Sequence, residues 1–487
     1  KIRRYEEIPA THARFRKFQN IVLDKVYEYL FIPPSKPDYK LWGIYENADY
    51  SKSLVFSHNY HTPRAFSAML SYESERRNLE GEYRNPESKC LNLENPKDCE
   101  DIASAQNGYE DRTRYDLSGK KYSKETEKIE EECIQAEIDR YRDLMKSMEA
   151  GFKEEESPYK RAVEKARAGY ENLEKDDLFC LGSMAGYFLE LAKEFAWKET
   201  LFDEYLKKYL LALYSVFTTK EAYGILCKVG NEDDSYMEKI YKYNAQGNIH
   251  AVLDEYFHLI LEEEHLTFES FQDNSNENFK ELEKKYFSII KYYMNSHRFR
   301  VKVNTTDGAS INIYTNFAQG ITGDEAKVDT QKALKHKMVC FNSPFRPFVF
   351  TTTSVGAEGL DFHWYCSNIY HWALEMNPEK FQQKEGRINR FHCHGVRRNL
   401  GRDLPDKSWA EIYLATSKKE GDPFWPEWVY EGNGKNGPYA ELKRHTMYYP
   451  GSFEDESYSD MIQNMKLYRA VVDGNYLCPL NRIQTKK

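Results

Sequence analysis

Thr351-Thr-Thr-Ser-Val-Gly-Ala-Glu-Gly-Leu-Asp-Phe362, followed 21 residues later by Gln383-Lys-Glu-Gly-Arg-Ile-Asn-Arg390, decides the reading of this 487-residue chain. An apolar run, Phe348-Val-Phe350, leads into a turn rich in Thr, Ser and Gly that ends on an acid. The pattern predicts a strand that breaks into a loop. Hydroxyls and bare backbone N–H groups in such a loop suit phosphate oxygens, and Gly356 and Gly359 let the backbone approach them closely. The second segment predicts a basic helix over 378–391, on which Arg387 and Arg390 stand three apart and share a face. Two guanidiniums on one face can engage one phosphoryl group together.

Upstream, Lys52-Ser-Leu-Val-Phe-Ser57 predicts a buried strand, and Pro63 starts a helix expected to run to about residue 77, with proline in its first turn. In this order the three segments resemble motifs IV, V and VI of superfamily 2 helicases and translocases, including the Swi/Snf-type branch. The resemblance covers the second of the two RecA-like domains of those enzymes. It implies that Arg390 is an arginine finger, that Arg387 is its partner on the γ-phosphate, and that Gln383 fixes the helix or the nucleotide. It further implies nucleotide contacts from Gly359, Asp361 and Gly386. Nucleic-acid contacts fall to Ser57, Thr353, Ser354 and Gly356, with DNA favoured over RNA. The implied cofactor is ATP with Mg2+, in a site completed by an N-terminal RecA-like domain. The chain departs from the Swi/Snf pattern where Arg390 is followed by Phe-His-Cys-His-Gly instead of Gly-Gln.

The sequence contains no G-x-x-x-x-G-K-[ST], the loop that cradles a triphosphate. Three Asp-Glu pairs imitate a metal-binding DExx motif: Asp203-Glu204, Asp254-Glu255 and Asp324-Glu325. The second has helical periodicity through Val252, Leu253, Tyr256, Phe257, Ile260 and Leu261, so its acids are expected on a solvated helix face. With Lys1 rather than Met at the start, the expectation is a C-terminal part of a longer protein whose first RecA-like domain lies upstream.

Formal net charge is −9, which is not the signature of a general nucleic-acid binder. The charge is uneven, however: Glu379 to Arg402 holds seven Lys and Arg against two Glu, a local stripe suited to gripping phosphates. No apolar run is long enough for a membrane span, and no signal peptide opens the sequence. Nine cysteines, without any C-x-x-C, point to reduced thiols in a cytoplasmic protein. His392-Cys393-His394 resembles a metal triplet, but neighbouring residues cannot converge on one ion without distant partners, so no metal site is assigned.

Four regions are expected: a connector over 1–50; a RecA-like domain over 51–79 and 298–420; a helical insertion over 80–297; and an aromatic extension over 421–487 that packs back on the motor domain. Within the insertion, Ile134, Ile138, Tyr141, Met145, Met148 and Phe152 form a heptad seam. After Pro158 a second seam follows in Tyr159, Val163, Ala166, Tyr170 and Leu173. Together they predict an antiparallel helical hairpin, a candidate surface for a protein partner. In the fold core, strands are expected at 311–314, 347–353, 368–372 and 409–415, with helices at 327–341 and 378–391. The fold class is therefore α/β: a RecA-like parallel, doubly wound sheet with a large all-α insertion. The expected function is the C-terminal motor half of an ATP-dependent helicase or translocase, inactive alone. The alternative is a non-catalytic scaffold that uses the same domain and the insertion to bind a partner.

Overall fold

The computed structural model describes residues 2, 5–24, 26–79, 114–121, 123, 125–149, 157–194, 199–263, 299–304, 310–321, 328–353, 360–390, 392–409, 411–412, 440–449 and 451–472. The elements run in chain order. First come helix α1 Ala13–Leu23, strand β1 Lys52–Ser57 and helix α2 Thr62–Leu79. Helices α3 Thr126–Glu149, α4 Pro158–Ala168, α5 Lys175–Gly182, α6 Met184–Glu194, α7 Glu199–Tyr214, α8 Lys220–Val229, α9 Tyr236–Gln246 and α10 Ile249–Glu263 follow. Then come β2 Arg300–Asn304, β3 Ser310–Tyr314, β4 Ala318–Ile321, α11 Val328–Phe341, β5 Val349–Thr353, β6 Cys366–His371, α12 Pro378–Glu385, α13 His394–Asp403, β7 Lys443–Thr446 and α14 Phe453–Val472. The protein is thus α/β, with a parallel five-stranded sheet and many helices.

The chain divides into two compact units: Lys1–Ile8, Glu28–Asp49 and Glu75–Asn295 form one, and Pro9–Tyr27, Tyr50–Ser74 and Ser296–Lys487 the other. The first 50 residues, read as one connector, are shared between them.

The second unit carries the sheet, in the order β4-β5-β1-β6-β7, every pair parallel. β1 and β5 are buried along their whole length, as strands covered on both faces must be. Leu54, Phe56, Phe350, Phe341, Phe362 and Ile388 form the heart of the core. Even Lys52 lies inside, its ammonium donating to the carbonyls of Phe341 at 2.9 Å and Phe345 at 2.5 Å. Burial holds that lysine well below its usual range. The central position of β1, flanked by β5 and β6, makes the carboxyl ends of these three strands the natural place for ligand-binding loops.

Several expected elements differ. Helix 378–391 stops at Glu385, because Gly386 caps it and Ile388 must turn inward to fill the core. The arginines therefore stand on the turn beyond α12, not on a helix face. At 409–415 the described residues Trp409, Glu411 and Ile412 are helical rather than extended. The reason is burial: Trp409 and Ile412, three apart, both pack with Leu400, whereas a strand would place them on opposite faces. Residues 311–314 do form a strand, but it pairs antiparallel with β2 in a separate two-stranded sheet. The sheet's fifth strand, β7, lies inside the segment read as an extension. Nearby, Met461 and Met465 of α14 pack against Phe381. Phe424, Trp425, Trp428 and Tyr430 lie outside the described residues.

In the first unit, Ile134, Ile138, Tyr141 and Met148 are buried along one face of α3, as the heptad spacing predicts; Phe152 lies outside the described residues. The second seam is cut short, because Gly169 (φ 150°) ends α4 and leaves Tyr170 56 % exposed. The two seams do not make a self-contained hairpin: α3 packs mainly on α6 and α7, and α4 on α5. Helices α5 and α9 approach so closely that a Cβ on Gly182 would meet the Tyr241 carbonyl at 2.0 Å. Asp254-Glu255 lies on α10, where Glu255 is buried instead of solvated and accepts bonds from the Ser35 N–H and hydroxyl at 2.7 and 2.6 Å. Among the described residues no helix is long and apolar enough to cross a membrane.

Candidate functional site

The site is built where the segment after β5 meets the turn after α12. Phe362 (0 % exposed) and Ile388 (1 % exposed) are both driven into the core, and each acts as a pin for the polar residues around it. The Phe362 N–H donates to the Arg387 carbonyl at 2.9 Å, which ties the two segments together. The Asn342 amide donates to the Asp361 carbonyl at 2.8 Å, and the Arg387 guanidinium reaches the Leu360 carbonyl at 3.4 Å. With their neighbours fixed inward, Asp361 and Arg390 project outward, and the Arg390 Nε lies 3.1 Å from the Asp361 carboxylate. Both side chains are about half exposed, each at 47 %. The acid of the first quoted segment and the last arginine of the second therefore meet.

The turn that carries Arg387 and Arg390 hangs from a buried ion pair. The Glu385 carbonyl accepts the N–H groups of Ile388 and Asn389 at 3.2 and 3.1 Å, so the turn is wound directly on that residue. The Glu385 carboxylate takes both nitrogen arms of Arg444 on β7, one of them at 2.7 Å, and has the His371 ring 3.7 Å away. Burial alone would raise the Glu385 carboxyl, but His371 and Arg444 outweigh it and hold the group below its usual range. Burial keeps His371 below its usual range, against the pull of Glu385. The sequence offered one clue to this arrangement, Glu385 as one of only two glutamates in the basic stripe. Nothing in Lys443-Arg-His-Thr446 marked its partner.

Gly386 adopts an ordinary helical conformation (φ −59°, ψ −16°). A Cβ there would come no closer than 3.4 Å to the Gln382 and Gln383 carbonyls, so the fold itself has room for a side chain. Gln383 is exposed, its amide bonded only one helical turn back, to Glu379 at 3.2 Å. It lies on α12 rather than on the arginine turn.

Ser57 and Thr353 face each other in register at the carboxyl ends of β1 and β5. Both are buried, and the Ser57 hydroxyl accepts the Asn59 N–H at 3.1 Å, closing the turn after β1. Ser354, Gly356 and Gly359 lie outside the described residues.

Behind the arginine turn, the fully buried Arg397 donates to the carbonyls of His392, at 2.5 Å, and Trp364. Burial, with Arg397 and Arg390 nearby, pushes His363 down to about 3, and burial with Arg397 and His363 pushes His392 down to about 2. His394 also sits well below its usual range, chiefly through burial. With these imidazoles held below their usual range, the local positive charge comes from the arginines, Arg387 and Arg390 on the turn and the buried Arg397 behind it. Tyr365 belongs to the core at 1 % exposure. Among the described residues no group of His, Cys, Asp and Glu is arranged to hold a metal ion.

The arrangement brings an acid and two arginines onto one small patch, and guanidiniums in such a setting are able to meet an anionic group such as a phosphoryl. No known family profile, no curated protein and no solved structure matches this chain.

Proposed function

We propose that this chain is the C-terminal motor half of an ATP-dependent nucleic-acid helicase or translocase. On this reading the parallel sheet is a RecA-like domain, and the helical segment within 80–297 is an insertion in it. Arg390 is the arginine finger, Arg387 its partner, and Asp361 and Gly386 stand beside the nucleotide. Another RecA-like domain supplies the phosphate cradle and the Mg2+ ligands. The observation that supports this best is the meeting of Asp361 with Arg390 on a patch where Gly386 is not required by the fold. A guanidinium placed against a transferring phosphoryl group stabilises charge that grows in the transition state, worth about 10³-fold or more in rate. In the absence of nucleotide the Asp361 carboxylate holds Arg390 in place, and a γ-phosphate competes for the same guanidinium. Ser57 and Thr353, side by side at the strand ends, position nucleic acid through its backbone, with DNA favoured.

The same ion pair also favours a second reading, in which Arg390 is a satisfied surface residue and the domain is a non-catalytic scaffold that binds a protein through its helical unit. ATP hydrolysis by the protein of the full reading frame, with and without single- and double-stranded DNA and RNA, separates the two. Turnover stimulated by nucleic acid supports the motor. No turnover under any of these conditions supports the scaffold.

A further inference from the structure

A row of aromatic side chains lies just beyond the carboxyl ends of three neighbouring strands. Tyr60 and His61 follow β1, Trp372 follows β6, and Tyr449 follows β7, in the spatial order β1-β6-β7.

Trp372 is anchored from below. Its ring meets Phe66 edge-on at 4.7 Å and Phe18 at 6.3 Å, and its backbone N–H donates to the Phe56 carbonyl at 2.9 Å. On its other side it contacts the exposed His12 at 5.8 Å, and His12 in turn lies 6.5 Å from Tyr449. The Arg14 guanidinium is within 6 Å of two ring centroids, at 5.2 Å from Trp372 and 5.8 Å from Tyr449. Arg14 cannot swing away, because it also donates to the Trp372 carbonyl at 2.7 Å and pairs with Glu454 at 3.2 Å. The outer members stay open: Tyr449 is 45 % exposed and Tyr60 36 %.

A tyrosine ring backed by a fixed guanidinium, with much of its surface open, is a rigid and polarised stacking platform. Tyr449 keeps nearly half of its surface open, at 45 % exposure. Two acids that open α14 are already engaged: Glu454 holds Arg14, and the Asp455 carboxylate accepts the Gly451 N–H at 2.9 Å. Exposed Arg16 and Lys17 on α1 add free positive charge, Lys17 one helical turn from Arg14.

From this arrangement we infer that the rim formed by His12, Arg14, Trp372 and Tyr449 is a base-stacking site for single-stranded nucleic acid, with Tyr449 as its platform. The inference rests on the nucleic-acid reading above and adds to it a contact to bases made by residues outside the three motif segments. Base–aromatic stacking tolerates any base, so the site contributes grip without sequence preference.

The test is fluorescence anisotropy of the 487-residue chain with labelled oligo-dT, labelled oligo-U and an abasic deoxyribose-phosphate strand of equal length. The wild-type chain binds a base-bearing strand more tightly than the abasic one, and a preference between dT and U identifies the natural strand. Tyr449→Ala weakens base-bearing binding about tenfold and abolishes the difference from the abasic strand, whereas Tyr449→Phe keeps both. Wild-type binding that Tyr449→Ala leaves unchanged overturns the stacking site alone. Failure of the wild-type chain to bind either base-bearing strand overturns the stacking site and counts against the nucleic-acid reading with it.

Discussion

Arg390 and Asp361, 29 residues apart in sequence, meet at 3.1 Å because Phe362 and Ile388 are sunk in the same core cluster. Both partners are half exposed, and a pair of this kind contributes only about 0–1 kcal/mol to stability. Arg390→Ala and Asp361→Asn should therefore each shift the urea midpoint of the chain very little. A loss of several kcal/mol in either variant would mean that the pair is a structural clamp rather than a group held ready for a ligand.

Gly386 gives a sharper separation of fold from function. Its backbone is helical and a Cβ has room, so Gly386→Ala should leave stability unchanged or raise it by about 0.5 kcal/mol through the unfolded chain. In the protein of the full reading frame the same substitution should reduce stimulated ATP hydrolysis at least tenfold, because the methyl occupies space at the nucleotide. Full activity in Gly386→Ala would remove the glycine from the site.

Glu385 and Arg444 behave oppositely to the exposed pair. They are buried and bidentate, so Glu385→Ala should destabilise by about 3–5 kcal/mol, chiefly by stranding the guanidinium. Replacing both, as Glu385→Leu with Arg444→Met, should recover most of that loss in a urea double-mutant cycle. Because the Glu385 carboxyl is held below its unfolded value, the stability it gives is present above the ordinary glutamate range and is lost as pH falls through the folded value. An additive cycle would show that the two residues are not coupled.

Glu137 on α3 has the reverse sign. Burial raises its carboxyl to about 7, against the opposing bonds from the Ser183 hydroxyl at 2.6 Å and the Ala185 N–H at 3.2 Å. The folded unit therefore binds a proton that the unfolded chain has already released. Its stabilising contribution is full below the ordinary value of 4.5 and is lost as pH rises through about 7. Thermal unfolding should give a lower Tm at pH 8.5 than at pH 6, and Glu137→Gln should flatten that part of the profile. A profile unchanged by the substitution would place the titration elsewhere.

The sheet's centre was legible in the sequence because its strands are nearly continuous apolar runs: Leu54-Val-Phe56 and Phe348-Val-Phe350 admit few other readings. β7 was not, since Lys443-Arg-His-Thr446 is polar throughout and is held in the sheet by a long-range pair, Arg444 to Glu385. The end of α12 was misread because Gln383 to Arg390 keeps a helical spacing of polar residues, while Ile388, the residue that ends the pattern, shows its role only once the core is assembled. The strand expected over 409–415 failed for want of length, since seven residues barely distinguish a period of two from one of 3.6. The ion pair of Asp361 with Arg390 was not legible, because each residue was read only toward a ligand, and neither was the separation of Gln383 from the arginines.

The most direct measurement is the rate of nucleic-acid-stimulated ATP hydrolysis by the protein of the full reading frame, with Arg390→Ala and Thr353→Ala beside the wild type. The expected result is a fall of about 10³-fold in kcat for Arg390→Ala with KM for ATP within a few-fold, since the contact strengthens mainly in the transition state. Thr353→Ala should leave basal hydrolysis nearly intact and weaken only its stimulation. An Arg390→Ala protein that hydrolyses ATP at the wild-type rate would contradict the arginine-finger assignment.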